Sequence, residues 1–409
     1  MIQFRSVHAP LSRVVLLTLL AGTGVAVQAQ ESSPYYLGAS QSFVRDNNIL
    51  RQTDAKSDTI SSTGVRAGID QAFGRQRAVV GLEANRNRYS NYNLYNNTDY
   101  AATGRLDWST VERISGTLSA ESRRSLYRNN LDQSTAKNLL TTSGAALQVQ
   151  VGLVTRWSFD TTLSTNRQSY SASSGSNLRQ NGVGAGVRFR PSEALSLRTG
   201  LRRTEGKYPN VLPTPDDFTR EDLDFDSQLE ASGASRLSTR LSYTRESHSL
   251  VNRRAYHGWT GSLGWNWRPT GKLTLDLTAA RDSNVGSQNA FGLSTSDGSG
   301  DTRISNTLGL RSAWELSPKL GVTAGLGYAR RTLDNAFLLG ISSSGAVLAD
   351  GKDSTKSANL GVRYMPLRNL DLGCGVNWED RSVQASGLSN ISFPYSATSY
   401  NCSAQIYLR

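Results

Sequence analysis

From residue 34 to the C-terminus one pattern recurs: about ten residues alternating apolar with polar, then a turn, then another such run. Leu273-Thr274-Leu275-Asp276-Leu277-Thr278-Ala279 shows it most clearly. Successive strand side chains point to opposite faces, so the leucines and the alanine share one face, and Thr274, Asp276 and Thr278 share the other. Leu370-Asp371-Leu372-Gly373-Cys374-Gly375-Val376-Asn377-Trp378 and Leu223-Asp224-Phe225-Asp226 repeat the scheme. A soluble sandwich alternates too, but here the apolar faces end regularly in an aromatic. The pattern predicts an all-β chain, a transmembrane antiparallel up-and-down β-barrel.

The N-terminal residues supply the compartment. Arg5 and Arg13 precede Val14-Val15-Leu16-Leu17-Thr18-Leu19-Leu20-Ala21, and small residues lead to Val27-Gln28-Ala29. This is the layout of a secretory signal peptide, 1–29, cleaved after Ala29, ahead of a barrel over 30–409. Its apolar run is shorter than the ~20 residues a helical span needs. No later segment is apolar enough for one, and a mean hydropathy of −0.43 excludes a helical inner-membrane protein but not a barrel with a polar lumen. The expected location is the bacterial outer membrane.

About eighteen strands can be placed, or about sixteen if two of the weaker early ones merge. They run 34–44, 58–72, 76–89, 98–109, 113–127, 138–151, 153–168, 177–190 and 194–206, then 219–232, 236–247, 255–268, 272–283, 301–315, 319–332, 355–365, 369–381 and 397–408. Tight turns such as Phe73-Gly74-Arg75, Arg190-Pro191-Ser192-Glu193 and Arg268-Pro269-Thr270-Gly271 alternate with longer polar loops near 207–218, 248–254, 284–300, 333–354 and 382–396. Short periplasmic turns and long outer loops are the rule in such barrels. Trp108, Trp157, Trp265, Trp267, Trp314 and Phe189 sit near the short turns, with Tyr100 and Trp378 toward the long loops, as two interfacial girdles require.

With the apolar phase assigned to lipid, the charged phase faces the lumen, since a charge on the lipid face costs roughly 2–4 kcal/mol at the midplane. The lumen set is then Arg66, Arg105, Arg188, Arg190, Arg198, Arg202, Arg240, Arg311 and Arg363, the candidate substrate-binding residues. Glu83, Asp107, Asp160, Asp224, Asp226, Glu230, Asp276 and Asp371 accompany them. Any one of these arginines could equally brace the wall in an ion pair. The chain as a whole carries Lys+Arg 45 against Asp+Glu 33, and removing Arg5 and Arg13 leaves 43 − 33 = +10. A basic channel concentrates anions, and arginine forks match carboxylates. Acidic polysaccharides and small anions are both suitable cargoes; the compartment argues against nucleic acid.

Nothing here reads as an enzyme. Beyond the signal only His248 and His257 remain, both expected as solvated rim residues, with no triad, metal-ligand spacing or phosphate-cradling glycine loop. No cofactor is implied. Cys374 and Cys402 fall on the last two strands in the lipid-facing phase. They could pair across the final hairpin or remain two apolar thiols.

One segment carries a resemblance. Tyr35-Tyr36-Leu37-Gly38-Ala39 followed by Phe43-Val44-Arg45-Asp46-Asn47-Asn48-Ile49-Leu50-Arg51 resembles the start of EpsL-type outer-membrane barrels of exopolysaccharide operons. The resemblance implies a conduit for export of an extracellular polysaccharide, working in outer-membrane lipid with periplasmic export partners. It supplies no catalytic residues. The alternative is a general or solute-selective porin, and a surface hydrolase using the histidine rim comes third.

Overall fold

The computed structural model describes residues 33–408 apart from 112, 128–134, 153–154, 211–214, 250–254, 284–301, 336–340, 343–344, 347–348 and 387–391. The expected signal peptide and the Phe337-Leu338-Leu339 segment, a candidate to fold into the lumen, lie outside them. Fifteen strands follow one another along the first part of the barrel. These are β1 (Tyr35–Asp46), β2 (Asp58–Phe73), β3 (Gln76–Tyr89), β4 (Asn97–Ser109), β5 (Ile114–Tyr127), β6 (Asn138–Val151), β7 (Trp157–Tyr170), β8 (Leu178–Phe189), β9 (Leu195–Tyr208), β10 (Asp216–Ser232), β11 (Ser235–His248), β12 (Tyr256–Thr270), β13 (Leu273–Asp282), β14 (Thr302–Ser317) and β15 (Leu320–Asn335). After a separate two-residue ladder of β16 (Ile341–Ser342) with β17 (Gly345–Ala346) come β18 (Ala349–Leu367), β19 (Leu370–Ser386) and β20 (Tyr395–Leu408).

Apart from β16 and β17, each strand pairs antiparallel with the next, and β1 pairs with β20, giving a closed 18-stranded meander. The longer sequence estimate is therefore correct. Closure matters because lipid offers no hydrogen-bond partner to an open edge. Gly74, at φ 63, provides the left-handed turn residue between β2 and β3. Three estimates shift by four residues or more. β7 starts at Trp157 rather than 153, β18 reaches back to Ala349, shortening the 333–354 loop, and β19 runs on to Ser386 rather than 381, shortening the 382–396 loop. The extra turn of β18 holds because Ala349–Ser354 ladders onto β15 along its whole length.

The alternation separates the faces as read. Leu118, Leu163, Val183, Leu201, Leu241, Leu310 and Leu360 are exposed on the outside. Trp157 stacks on Phe189 at 4.5 Å and Trp265 on Trp267 at 5.4 Å beside the short turns, and Tyr243 meets Trp259 at 5.4 Å toward the other rim. Outward charges do occur, contrary to the simple reading: Arg203 pairs with Glu205 and Glu221, and Lys207 with Asp217. They stand above Leu201 and Leu223 on the same strands, in the outer half of the wall, and are paired with one another.

Inward side chains differ between the two ends. Toward the periplasmic turns Arg105 and Arg363 stay 58% exposed to the lumen. Toward the outer mouth Asp46, Asp58, Arg220, Asp222, Arg331, Asp353 and Arg381 are buried. The Arg45–Arg51 segment contributes to this filling. Ile49 packs with Ile60, Tyr89 and Tyr95, Asn48 donates to Gln52 and Ser396 carbonyls, and Arg51 bridges Asp46 and Glu379. The loop thereby fastens β1 to β19 and β20 across the closing seam.

Cys374 and Cys402 are directly opposed on β19 and β20, Cα atoms 4.1 Å apart, and bonded as a disulfide on the lipid side. The bridge stabilises the last hairpin by about 3.5 kcal/mol in the chain-entropy account for its 28-residue separation. Thiol titration of denatured, unreduced protein should find neither cysteine free, and full reactivity should appear only after reduction; two free thiols without reductant would contradict the pairing.

Candidate functional site

The inner wall over β7–β11 gathers alternating charges. Asp160 on β7 lies opposite Gly186 on β8, and Arg198 on β9 reaches across. Its Nε and Nη2 donate to Asp160 at 2.8 and 2.7 Å, and its Nη1 to Asp226 at 2.9 Å. The guanidinium lies flat over Gly186 and Gly200; a Cβ at Gly186 would stand 2.6 Å from it, so these two glycines make the arginine's seat. Arg240 Nε donates to Asp226 at 2.8 Å, and Arg202 pairs with Asp222 at 3.1 Å and Asp224 at 3.4 Å.

These groups surround a recess of about 450 Å³, floored by hydroxyl and amide side chains including Thr162, Ser196, Ser238 and Gln148. Arg188 on β8 enters the same recess. It forms no ion pair among the described residues, and its Nε is buried without a hydrogen-bond partner. Four guanidiniums (Arg188, Arg198, Arg202, Arg240) and three carboxylates (Asp160, Asp224, Asp226) line the recess, and Arg202 also reaches Asp222, which it shares with Arg220. Of the four arginines, Arg188 is the one with no carboxylate in ion-pair contact among the described residues.

The other predicted lumen arginines do not join this cluster. Arg66 pairs with Glu83 and donates to Gln405, Arg105 pairs with Asp107, and Arg363 with Asp371. Arg311 is inward and exposed, in register with Asp276. Arg190 falls just past the end of β8, its amide bonded to the Arg156 carbonyl in the turn. The bracing role and the open role thus divide among residues that look equivalent in sequence.

A second network sits higher on the same strands. Arg220 Nε pairs with Asp222 at 3.0 Å and its Nη1 with Asp282 at 2.9 Å. Thr244 donates to Asp222, and Ser283 to Glu246. His248 was expected to be solvated, but it is buried, Nδ1 2.8 Å from Asp216 and Nε2 3.1 Å from Glu246. Asp216 lies on the neighbouring strand, 32 residues earlier, where Phe218 is the register partner of His248. Only strand register reveals that pairing. The position is five residues beyond the outward ring of Tyr243, roughly 13 Å up the tilted strand and clear of the hydrocarbon.

Burial alone would lower the His248 imidazole, but hydrogen bonds to Asp216 and Glu246 outweigh it and hold it above the usual 6.5. With a carboxylate on each ring nitrogen, the imidazolium donates twice and has no lone pair left to act as a base. His257 is exposed on the outer face of β12. This arrangement does not assemble a hydrolytic centre.

No protein-family model and no curated protein sequence matches the chain. Solved structures do. OccAB2 of Acinetobacter baumannii superposes with a TM-score of 0.50 at 11% identity, covering 92% of this chain and 98% of that one. The outer membrane protein OpdK of Pseudomonas aeruginosa gives 0.46 at 13% identity, over 91% and 99%. The first of these likenesses agrees with the closed ladder. Together with the lipid-facing apolar belt and the charged lumen, it defines the class: a bacterial outer-membrane β-barrel.

Two outcomes follow. Arg198→Ala leaves the buried Asp160 carboxylate unpaired and should destabilise the refolded barrel by about 3 kcal/mol, read as a lower urea midpoint; an unchanged midpoint would remove Arg198 from the bracing role. Because His248 is raised in the folded state, its contribution is complete below about pH 6.5 and is lost as pH rises through the folded value. The apparent Tm in detergent should therefore fall more steeply above neutrality in wild type than in His248→Gln; equal slopes would contradict the assignment.

Proposed function

We propose that the chain is a solute-selective porin for small, hydroxyl-rich anions, acidic monosaccharides being the chemistry that fits best. The observation that carries this reading is Arg188, a guanidinium without an ion-pair partner among the described residues, in a recess otherwise lined by paired charges and hydroxyl groups. A carboxylate or phosphate can take up the free fork, while Ser, Thr and Gln side chains exchange hydrogen bonds with sugar hydroxyls. A single unpaired guanidinium binds weakly enough to release, which conduction needs.

Polysaccharide export, the role implied by the resemblance, is placed second. A polymer conduit needs a wide continuous path, and inward side chains near the outer mouth are packed rather than open. Planar-bilayer recording separates the readings. Wild type should be anion-selective and blocked by a uronate, and Arg188→Gln should reduce the anion preference by about tenfold and relieve the block. Unchanged selectivity and block in Arg188→Gln would overturn the porin site. Current that appears only with periplasmic partners and polymer would favour export.

A further inference from the structure

The outer surface of β5–β9 carries a feature that neither the lumen nor the girdles use. Arg167, Arg179 and Lys207 are directly paired register positions on β7, β8 and β9, all exposed on the lipid-facing side. Neighbouring strands are about 4.8 Å apart, so three like charges stand side by side, an arrangement that costs stability in a sheet. Lys207 has Asp217 at 3.3 Å. Among the described residues Arg167 and Arg179 form no ion pair.

Their height is informative. Arg167 is ten residues above Trp157, and Arg179 ten above Phe189, the stacked pair of the lower girdle. Ten residues at about 3.3 Å, tilted by about 40°, rise roughly 25 Å, the thickness of the apolar band. The basic row is therefore level with the outer leaflet's head groups.

Immediately below lies a trough of about 520 Å³ in the lipid-facing wall. It exists because small Ala145 and Thr165 lie between Leu118, Leu147, Leu163 and Val183. Arg203 borders it but is already matched by Glu205 and Glu221. An apolar trough ending beneath uncompensated cations at head-group level is complementary to one kind of molecule.

We propose that this face binds a phosphorylated lipid of the outer leaflet, one acyl chain in the trough and a phosphate held by Arg167, Arg179 and Lys207. Guanidinium forks on adjacent strands converge on phosphate oxygens, and the ligand removes the like-charge repulsion that the bare sheet carries. The site lies on the opposite side of the wall from the Arg188 recess and acts independently of it.

Native mass spectrometry of the full-length barrel in non-ionic detergent tests this, with diphosphorylated lipid A or its dephosphorylated form added. Wild type should retain the phosphorylated lipid alone. The Arg167→Gln, Arg179→Gln, Lys207→Gln triple variant should bind it about a hundredfold more weakly, each basic side chain at an anionic lipid surface contributing about fivefold. Ala145→Phe, which fills the trough and leaves the charges intact, should also weaken binding. Heat-modifiable gel migration confirms that each variant is folded. Undiminished binding in the folded triple variant or in Ala145→Phe would overturn the proposal. So would complete competition by inorganic phosphate, which would reduce the row to a simple anion patch.

Discussion

Backbone hydrogen bonding in lipid is the constraint on which everything else in this barrel depends. Each N–H and C=O in the hydrocarbon must find a partner within the protein, and the pairing of β1 with β20 removes the last free edge. Closure then forces the alternation: one phase of every strand meets lipid and the other meets the lumen. The Arg45–Arg51 segment and the Cys374–Cys402 bridge lie at or next to this seam, where the first and last strands must find each other across the whole length of the chain.

Enclosing charges in a wall creates the second problem. Acids and bases on adjacent strands answer it: Asp160, Arg198, Asp226 and Arg240 form one continuous chain of pairs, and Arg220, Asp222 and Asp282 another. Desolvated charges of this kind contribute little net stability when paired and cost much when separated, so they act chiefly to fix the wall's shape. Against that background an unpaired guanidinium is expensive, and Arg188 is the one that faces the recess.

Much of the architecture was legible because strand alternation and turn chemistry are local. The leucine phase at 273–279 and turns such as Gly74 and Pro191 placed strand ends within a few residues. Where the reading slipped, the cause was nonlocal. The outer end of β18 is polar and is held by its ladder to β15 rather than by an apolar face. His248 looked like a solvated loop residue because its partner Asp216 becomes a neighbour only through register. Likewise the nine lumen arginines carry a similar local signature, and their partners separate Arg188 from the others: Arg66 and Arg363 find Glu83 and Asp371 across strands, and Arg105 finds Asp107 two residues along β4. The outward row of Arg167, Arg179 and Lys207 was missed because alternation alone does not say where a strand leaves the membrane.

The central claim is that solutes pass through the lumen beside Arg188. Cysteine accessibility during current recording tests it most directly, in a barrel whose native cysteines are replaced by serine. A membrane-impermeant, negatively charged thiol reagent should react with Arg188→Cys and cut the current, while Val187→Cys, on the lipid side, should stay inert. An unreactive Arg188→Cys, or equal effects at the two positions, would contradict the account.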